Sequence, residues 1–555
     1  MGSGGAVPGC WRNGRVATLV SVLLVALLAS GCDLDPGKVD AIVHADDVVP
    51  RRVETASGPV VGVAAAAGQA FLGIPYAAPP VGALRWREPR RVASWAEPRQ
   101  ATALGPSCLQ NLSLDAQIGR AGAGPFLGQE DCLTVNVYAP PAAAAGQGRP
   151  VMVWIHGGAF VLGTSGQYDP STLARNTGAV VVTVNYRLGA LGFLAHPALR
   201  GTPGEGAFAL LDQQAALRWI RTNVAGFGGD PRRVTLFGQS AGAWSTCDQL
   251  ASPGAAGLFA RAILESGACV TPATSLPAAA AEEGGRRLGA SLGCDGPEAL
   301  ACLRARSAEE ILSALPERDG VTGPNSWAPA TGLDVLPVPP REAFATGRFN
   351  RVPVIDGTNR DEGRLFGYLR GLQADLLTAG SYEAEIGRLF GARAAAILAR
   401  YRADTFDSAG LAYAAVLTDG FFACPARALD RLLARFVPVF AYEFDDPAAP
   451  FRLPVLPWSA RMASYHTAEI PFVFDTAWFL ADPASFDADE SRLSSVIQAD
   501  WGAFARSGRP DGGGPSWPRF GAGAEVIEGL SPSRVGPAAG FAERHRCAFW
   551  DADGG

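Results

Sequence analysis

A chain of 555 residues, 48% hydrophobic and 18% charged, has a globular composition with ample apolar material for a large core. Its formal net charge of −6 supplies no basic field, so the long-range attraction that nucleic-acid binding requires is missing. With five histidines, no Cys-x-x-Cys and no His-Glu-x-x-His, the sequence offers no zinc ligand set, and neither a metal nor another cofactor is expected.

The chain begins with Arg12 and Arg15, an apolar run from Val16 to Leu28, and then Ala29-Ser30-Gly31-Cys32. The run is too short to cross a bilayer, and its basic flank and small-residue end read as an export signal over residues 1–31. Leu28-Ala29-Ser30-Gly31-Cys32 resembles the lipobox of bacterial lipoproteins, in which cleavage leaves the cysteine as a lipid-bearing first residue. That resemblance implies lipidation of Cys32, anchoring to the cell envelope, and no other membrane contact. Residues 33–50 are polar and aperiodic, so 32–52 reads as the lipidated cysteine and a flexible tether, and 53–550 as one domain. Of ten cysteines, Cys10 and Cys32 fall in this leader. The other eight are an even set in an exported chain, which predicts disulfides without fixing their partners.

From Val53 onward no internal repeat or linker divides the sequence, and Ala142–Gly148 is a short Ala/Gly-rich surface loop. Short apolar runs at Val151–Ile155, Ala179–Val184, Val234–Phe237, Ala262–Leu264, Val352–Ile355 and Val439–Phe444 read as strands. Helical patterns lie between them, clearest at Phe208–Val224, with helix-spaced Leu211, Ala215, Leu217 and Ile220. This alternation predicts an α/β fold with a mostly parallel central sheet, whose ligands bind beyond the carboxyl ends of the strands.

Gly238-Gln239-Ser240-Ala241-Gly242 directly follows one such run and opens a helical stretch, Ala241–Leu250. Glycines on either side of a serine allow the sharp strand-to-helix turn that pushes the hydroxyl out over a sheet. A serine hydroxyl is a poor nucleophile, so it needs a histidine base and an acid to orient that base. In this arrangement the chain order is serine, acid, histidine. Only His466 and His545 follow Ser240. His545, two residues before Cys547 in the terminal segment, suits a structural or exposed role, and His466 is the candidate base. Asp356, Asp361 and Glu362, all following Val352–Ile355, compete for the acid, and spacing does not choose among them. Past Val151–Ile155, the segment His156-Gly157-Gly158-Ala159-Phe160 bares backbone N–H groups. With the N–H of Ala241 these can stabilise an oxyanion, an effect of ~3 kcal/mol per donor.

Together these segments resemble the type-B carboxylesterase family, which includes cholinesterases, bacterial esterases and fungal lipases. Phe71-Leu72-Gly73-Ile74-Pro75-Tyr76-Ala77 and Pro80-Val81-Gly82-Ala83-Leu84-Arg85 resemble the family's opening. Glu130-Asp131-Cys132-Leu133-Thr134-Val135-Asn136-Val137-Tyr138 is similar to one signature and the Ser240 segment to the other. The resemblance implies an α/β-hydrolase fold with helical insertions around the active-site gorge, and hydrolysis of small-molecule carboxylic esters through an acyl-enzyme. It implies Glu362 as the acid, His466 as the base, and Gly158, Ala159 and Ala241 as oxyanion donors. It also implies the disulfides Cys108–Cys132, Cys294–Cys302 and Cys424–Cys547, which leaves Cys247 with Cys269.

Two departures bear on the substrate. Where the cholinesterase branch has an acidic residue before the nucleophile, this chain has neutral Gln239, and the Cys108–Cys132 loop lacks that branch's cation-binding Trp. Small to medium uncharged esters are therefore expected rather than choline esters. Ala159 stands where that branch has Gly, a change of shape more than of donor count. The rival expectations are a lipase with the Cys108–Cys132 loop as its lid, although that loop is not strongly apolar, and a non-catalytic adhesion protein on the same fold.

Overall fold

The structure is a computed structural model that describes residues 51–552 apart from 66–67, 113–124, 141–147, 272–273, 315–326, 372–377, 455–460 and 522. The export signal, Cys32, most of the tether, the loop at 142–147 and the middle of the suggested lid lie outside the described residues.

Among the described residues eleven strands form the main sheet. They are β1 Val63–Ala65, β2 Gly68–Pro75, β3 Thr134–Ala139, β4 Arg149–Ile155, β5 Val180–Val184, β6 Gly229–Gln239, β7 Arg261–Glu265, β8 Val354–Asn359, β9 Val439–Phe444, β10 Ile527–Ser531 and β11 Arg534–Pro537. Their order across the sheet is β11-β10-β9-β8-β7-β6-β4-β5-β3-β2-β1. Every pairing from β5 to β10 is parallel, and antiparallel pairs close both edges. Parallel strands are covered on both faces, which is why they read as near-continuous apolar runs. Along β4, Val151, Val153 and Ile155 enter one core while Met152 and Trp154 enter the other.

The alternation of strands and helices is as the sequence predicts, with shifted ends. The run at Val352–Ile355 becomes β8 only from Val354, since Pro353 has no N–H to give a sheet ladder, and continues through polar residues to Asn359. The run at Val234–Phe237 is the apolar part of the longer β6. The helix read at Phe208–Val224 is α1 Phe208–Asn223, and the stretch after Ser240 is α2 Ala241–Ala251. Between β8 and β9 the chain inserts helices, among them α3 Gly363–Gly371, α4 Ala409–Leu417 and α5 Cys424–Leu433. A π-helical turn, Thr418–Ala423, joins α4 directly to α5.

Register brings the strand ends level. Gly238 of β6 pairs with Ile155 of β4, Gln239 with Glu265 of β7, and Glu265 with Gly357 of β8. The chain therefore leaves the sheet at His156, Ser240 and Ser266 on one rim. The disulfides are Cys108–Cys132, Cys247–Cys269, Cys294–Cys302 and Cys424–Cys547. The second ties α2 to the segment that follows β7.

Candidate active site

Ser240 sits at φ 57° and ψ −125°, a conformation costing a side-chain-bearing residue ~1–3 kcal/mol. Its surroundings hold it there. The Ser240 N–H donates to the Glu265 carbonyl at 2.9 Å, and its own carbonyl accepts from Trp244 N at 2.9 Å. A Cβ on Gly238 would lie 2.6 Å from the Ile155 carbonyl oxygen, and one on Gly242 only 1.9 Å from it. Both glycines are thus required by the close approach of β4 to the turn, and the hydroxyl is carried up from the sheet.

Beyond β8, Glu362 is fully buried, with Oε2 2.6 Å from His466 Nδ1. Its Oε1 accepts the Asn359 N–H at 2.7 Å, which fixes the carboxylate. The imidazole is flanked by the rings of Phe366 and Phe422, with centroids 5.0 and 4.9 Å away. Neither competing acid reaches it. Asp356 lies buried beside Asp430 of α5, and burial pushes both carboxyls upward. Asp361 pairs instead with Arg364 at 3.0 Å. His545 is buried, not exposed, and is held between Asp419 and Glu443 at 2.7 Å each.

His466 Nε2 meets the Gln239 side-chain amide at 3.4 Å. Among the described residues the Ser240 hydroxyl has no hydrogen-bond partner. In free enzymes such catalytic contacts are often long and tighten with substrate.

The turn after β4 rests against the elbow, since a Cβ on Gly157 would fall 2.8 Å from the Gln239 carbonyl and 3.1 Å from Ser240 Cβ. Gly158, Ala159 and Phe160 follow at φ 109°, 53° and 64°, an unusual run of left-handed backbone that turns successive N–H groups outward. Among the described residues the N–H groups of Gly158, Ala159 and Ala241 have no partner. Below them His156 stacks on Tyr186 at 4.4 Å, and burial lowers its pKa to about 4, leaving it uncharged.

Sequence reasoning missed a second acid. Glu469 is buried, and burial, reinforced by the Glu362 charge, raises its pKa to about 7. It accepts from the Asn359 side chain, and from Ser266 Oγ at 3.4 Å. Asn359 also donates to the Tyr465 carbonyl at 2.8 Å, so one amide ties the Glu362 segment to the His466 segment. Asn359 lies among the competing acids and Glu469 just past His466, but the two are 110 residues apart and no local pattern joins them. Among the described residues no group of three or more His, Cys, Asp or Glu is placed to hold a metal ion.

A serine raised on a strained strand-to-helix turn in a doubly covered parallel sheet is the mark of the α/β-hydrolases. The family model described as the carboxylesterase family matches residues 49–550. The fumonisin B1 esterase of Sphingopyxis macrogoltabida is 35% identical over 515 residues, covering 88% of this chain and 90% of that protein. The para-nitrobenzyl esterase of Bacillus subtilis (strain 168) is 36% identical over 481 residues, covering 84% and 92%. A solved thermophilic PNB esterase matches with a TM-score of 0.75 at 33% identity, over 90% of this chain and all of its own. The chain belongs to the carboxylesterase family, and it is a carboxylic ester hydrolase of small-molecule esters.

Proposed function

We propose that the enzyme hydrolyses small to medium, uncharged carboxylic esters through Ser240, His466 and Glu362. The observation that carries this reading is the 2.6 Å bond from His466 Nδ1 to a buried carboxylate, beside the strained turn at Ser240. With Nδ1–H directed at Glu362, Nε2 keeps its lone pair. It takes the Ser240 proton as Oγ attacks the ester carbonyl, and passes that proton to the departing alcohol. Water, deprotonated by the same imidazole, then attacks the acyl-enzyme, releases the acid and restores the serine. The N–H groups of Gly158, Ala159 and Ala241 receive the oxyanion in both steps, and Glu362 stabilises the transient imidazolium. In the resting site Gln239 holds Nε2, and the serine–histidine bond forms as substrate enters. The neutral Gln239 amide supports uncharged substrates.

A serine-directed phosphonate tests the mechanism: a mass adduct on the Ser240 peptide, and loss of activity in Ser240→Ala, are expected. An adduct elsewhere, or wild-type activity in that variant, overturns the assignment. A nitrophenyl ester series tests the substrate range. Preference for short acyl chains supports it, and a rise with chain length favours a lipase. We further propose export and lipid anchoring through Cys32, supported by the lipobox-like Leu28–Cys32. Labelled fatty acid carried by the wild type and absent from Cys32→Ala is the expected result, and equal labelling of both rejects it.

A further inference from the structure

The turn Thr418–Ala423 bonds each residue five positions along instead of four, a wider winding that frequently occurs at functional sites. On an α-helix, residues three apart are neighbours on one face. The wider turn separates Asp419 from Phe422, and the two engage different parts of the molecule. Toward the site, the Phe422 ring lies 4.9 Å from the His466 imidazole and stacks on Phe366 at 5.5 Å. Thr418 Oγ1 accepts the N–H of Gly363, the residue after Glu362, at 2.9 Å.

Away from the site, Asp419 is buried in contacts with the end of the chain. It accepts from His545 Nδ1 at 2.7 Å and from the Tyr401 hydroxyl at 2.7 Å, with Arg546 at 3.5 Å. Glu443 of β9 holds the other ring nitrogen of His545 at 2.7 Å. Trp550 crosses Gly420 so closely that a Cβ there would fall 2.6 Å from its ring, and its indole N–H donates to the Tyr401 hydroxyl at 2.8 Å. The Cys424–Cys547 disulfide joins the first residue of α5 to the same terminal segment.

We infer that the C-terminal segment His545–Trp550 positions the catalytic imidazole: His545 grips Asp419, and the π-helical turn carries that grip to Phe422 and so to the face of His466. The inference rests on the reading of His466 as the base. The bond to Glu362 fixes Nδ1, and the tilt of the ring about that contact is bounded by Phe366 and Phe422 against its faces, with Gln239 at Nε2 as the remaining contact. Misplacing a reacting group by about 1 Å costs on the order of 10²-fold in rate. His545 and Asp419 touch no substrate and act as positioning residues.

The test is kcat and KM for a short-chain nitrophenyl ester with the full chain, at a temperature where tryptophan fluorescence shows each variant folded. His545→Gln and Asp419→Asn are expected to lower kcat about tenfold or more with KM within about threefold, and phosphonate labelling of Ser240 is expected to slow in step. Arg544→Gln removes another partner of Glu443 but leaves the His545–Asp419 pair, and its kcat is expected to stay within about twofold of wild type. A folded His545→Gln enzyme with wild-type kcat overturns the inference, as does an equal loss in all three variants. If His545→Gln does not fold, Tyr401→Phe, which removes one bond to Asp419, decides: a several-fold drop in kcat supports the inference and wild-type kcat rejects it. Ser240→Ala is assayed alongside. Activity that survives there refutes the hydrolytic mechanism itself, whereas Ser240-dependent activity unmoved by His545→Gln refutes only the positioning role.

Discussion

Alkali should loosen this enzyme through His545. Burial acts to lower the pKa of that imidazole, but the bonds and charges of Asp419 and Glu443 outweigh it and raise the value from 6.5 to about 9. Arg544 and Arg546 face the same two carboxylates and limit the gain. A histidine raised in the folded state stabilises fully below its unfolded pKa and loses that contribution as pH rises through the folded one. The window is therefore about 6.5 to 9, and the difference corresponds to roughly 3 kcal/mol. Asp446, Glu469 and Glu528, each raised mainly by burial to about 7, cost stability progressively as pH rises to that value, and their cost is nearly constant above about pH 8. Urea denaturation followed by tryptophan fluorescence at several pH values from 6.5 to 9.5 measures the effect, below the range of ordinary tyrosines. Wild type should lose about 3 kcal/mol more across the window than His545→Gln. Parallel curves for the two proteins would show that the imidazole carries no charge in the folded state, and would refute the reasoning.

Glu362→Gln keeps the shape at His466 but removes the charge that stabilises the imidazolium, so kcat should fall by about 10³–10⁴ with KM little changed; a loss below tenfold would point to another acid. Gly242→Ala forces a Cβ to within 1.9 Å of the Ile155 carbonyl, between two backbones that cannot yield cheaply. It should cost about 1–3 kcal/mol of stability and most of the activity, measured by thermal melting and nitrophenyl ester turnover; a soluble, fully active variant would contradict the geometry of the elbow. Gln239→Glu places a carboxylate beside His466 Nε2, and should raise kcat/KM for a cationic choline-type ester relative to its uncharged isostere by about fivefold or more at low salt. An unchanged ratio would show that residue 239 does not face the substrate.

The parallel interior of the sheet was legible because strands buried on both faces leave continuous apolar runs. Val439–Phe444 appears in the structure with the ends read from sequence. The antiparallel flanks were not, since Gly68–Pro75 carries polar and glycine positions, and Arg534–Pro537 is short and half solvated. Among the acids, Asp356, Asp361 and Glu362 are indistinguishable in local pattern. They separate only when the fold turns Asp356 toward α5, gives Asp361 to Arg364 and leaves Glu362 facing His466. His545 at the chain end carried no sign of burial, because its partners Asp419 and Glu443 lie more than 100 residues upstream. Phe422 was equally silent, an aromatic residue in an apolar helix whose contact with His466 depends on a wider turn.

The order of the strands also has a temporal meaning. Gln239 and His466 meet across 227 residues of chain, and β9 must dock beside β8 before the imidazole comes near the serine. Long-range parallel pairing is among the slower events of folding, and large chains pass through compact states before it is complete. Ester hydrolysis should thus return last during refolding, after helical content and tryptophan burial have recovered. Turnover of a simple ester would serve as a clock for the completed sheet, blind to every state in which the chain has only collapsed.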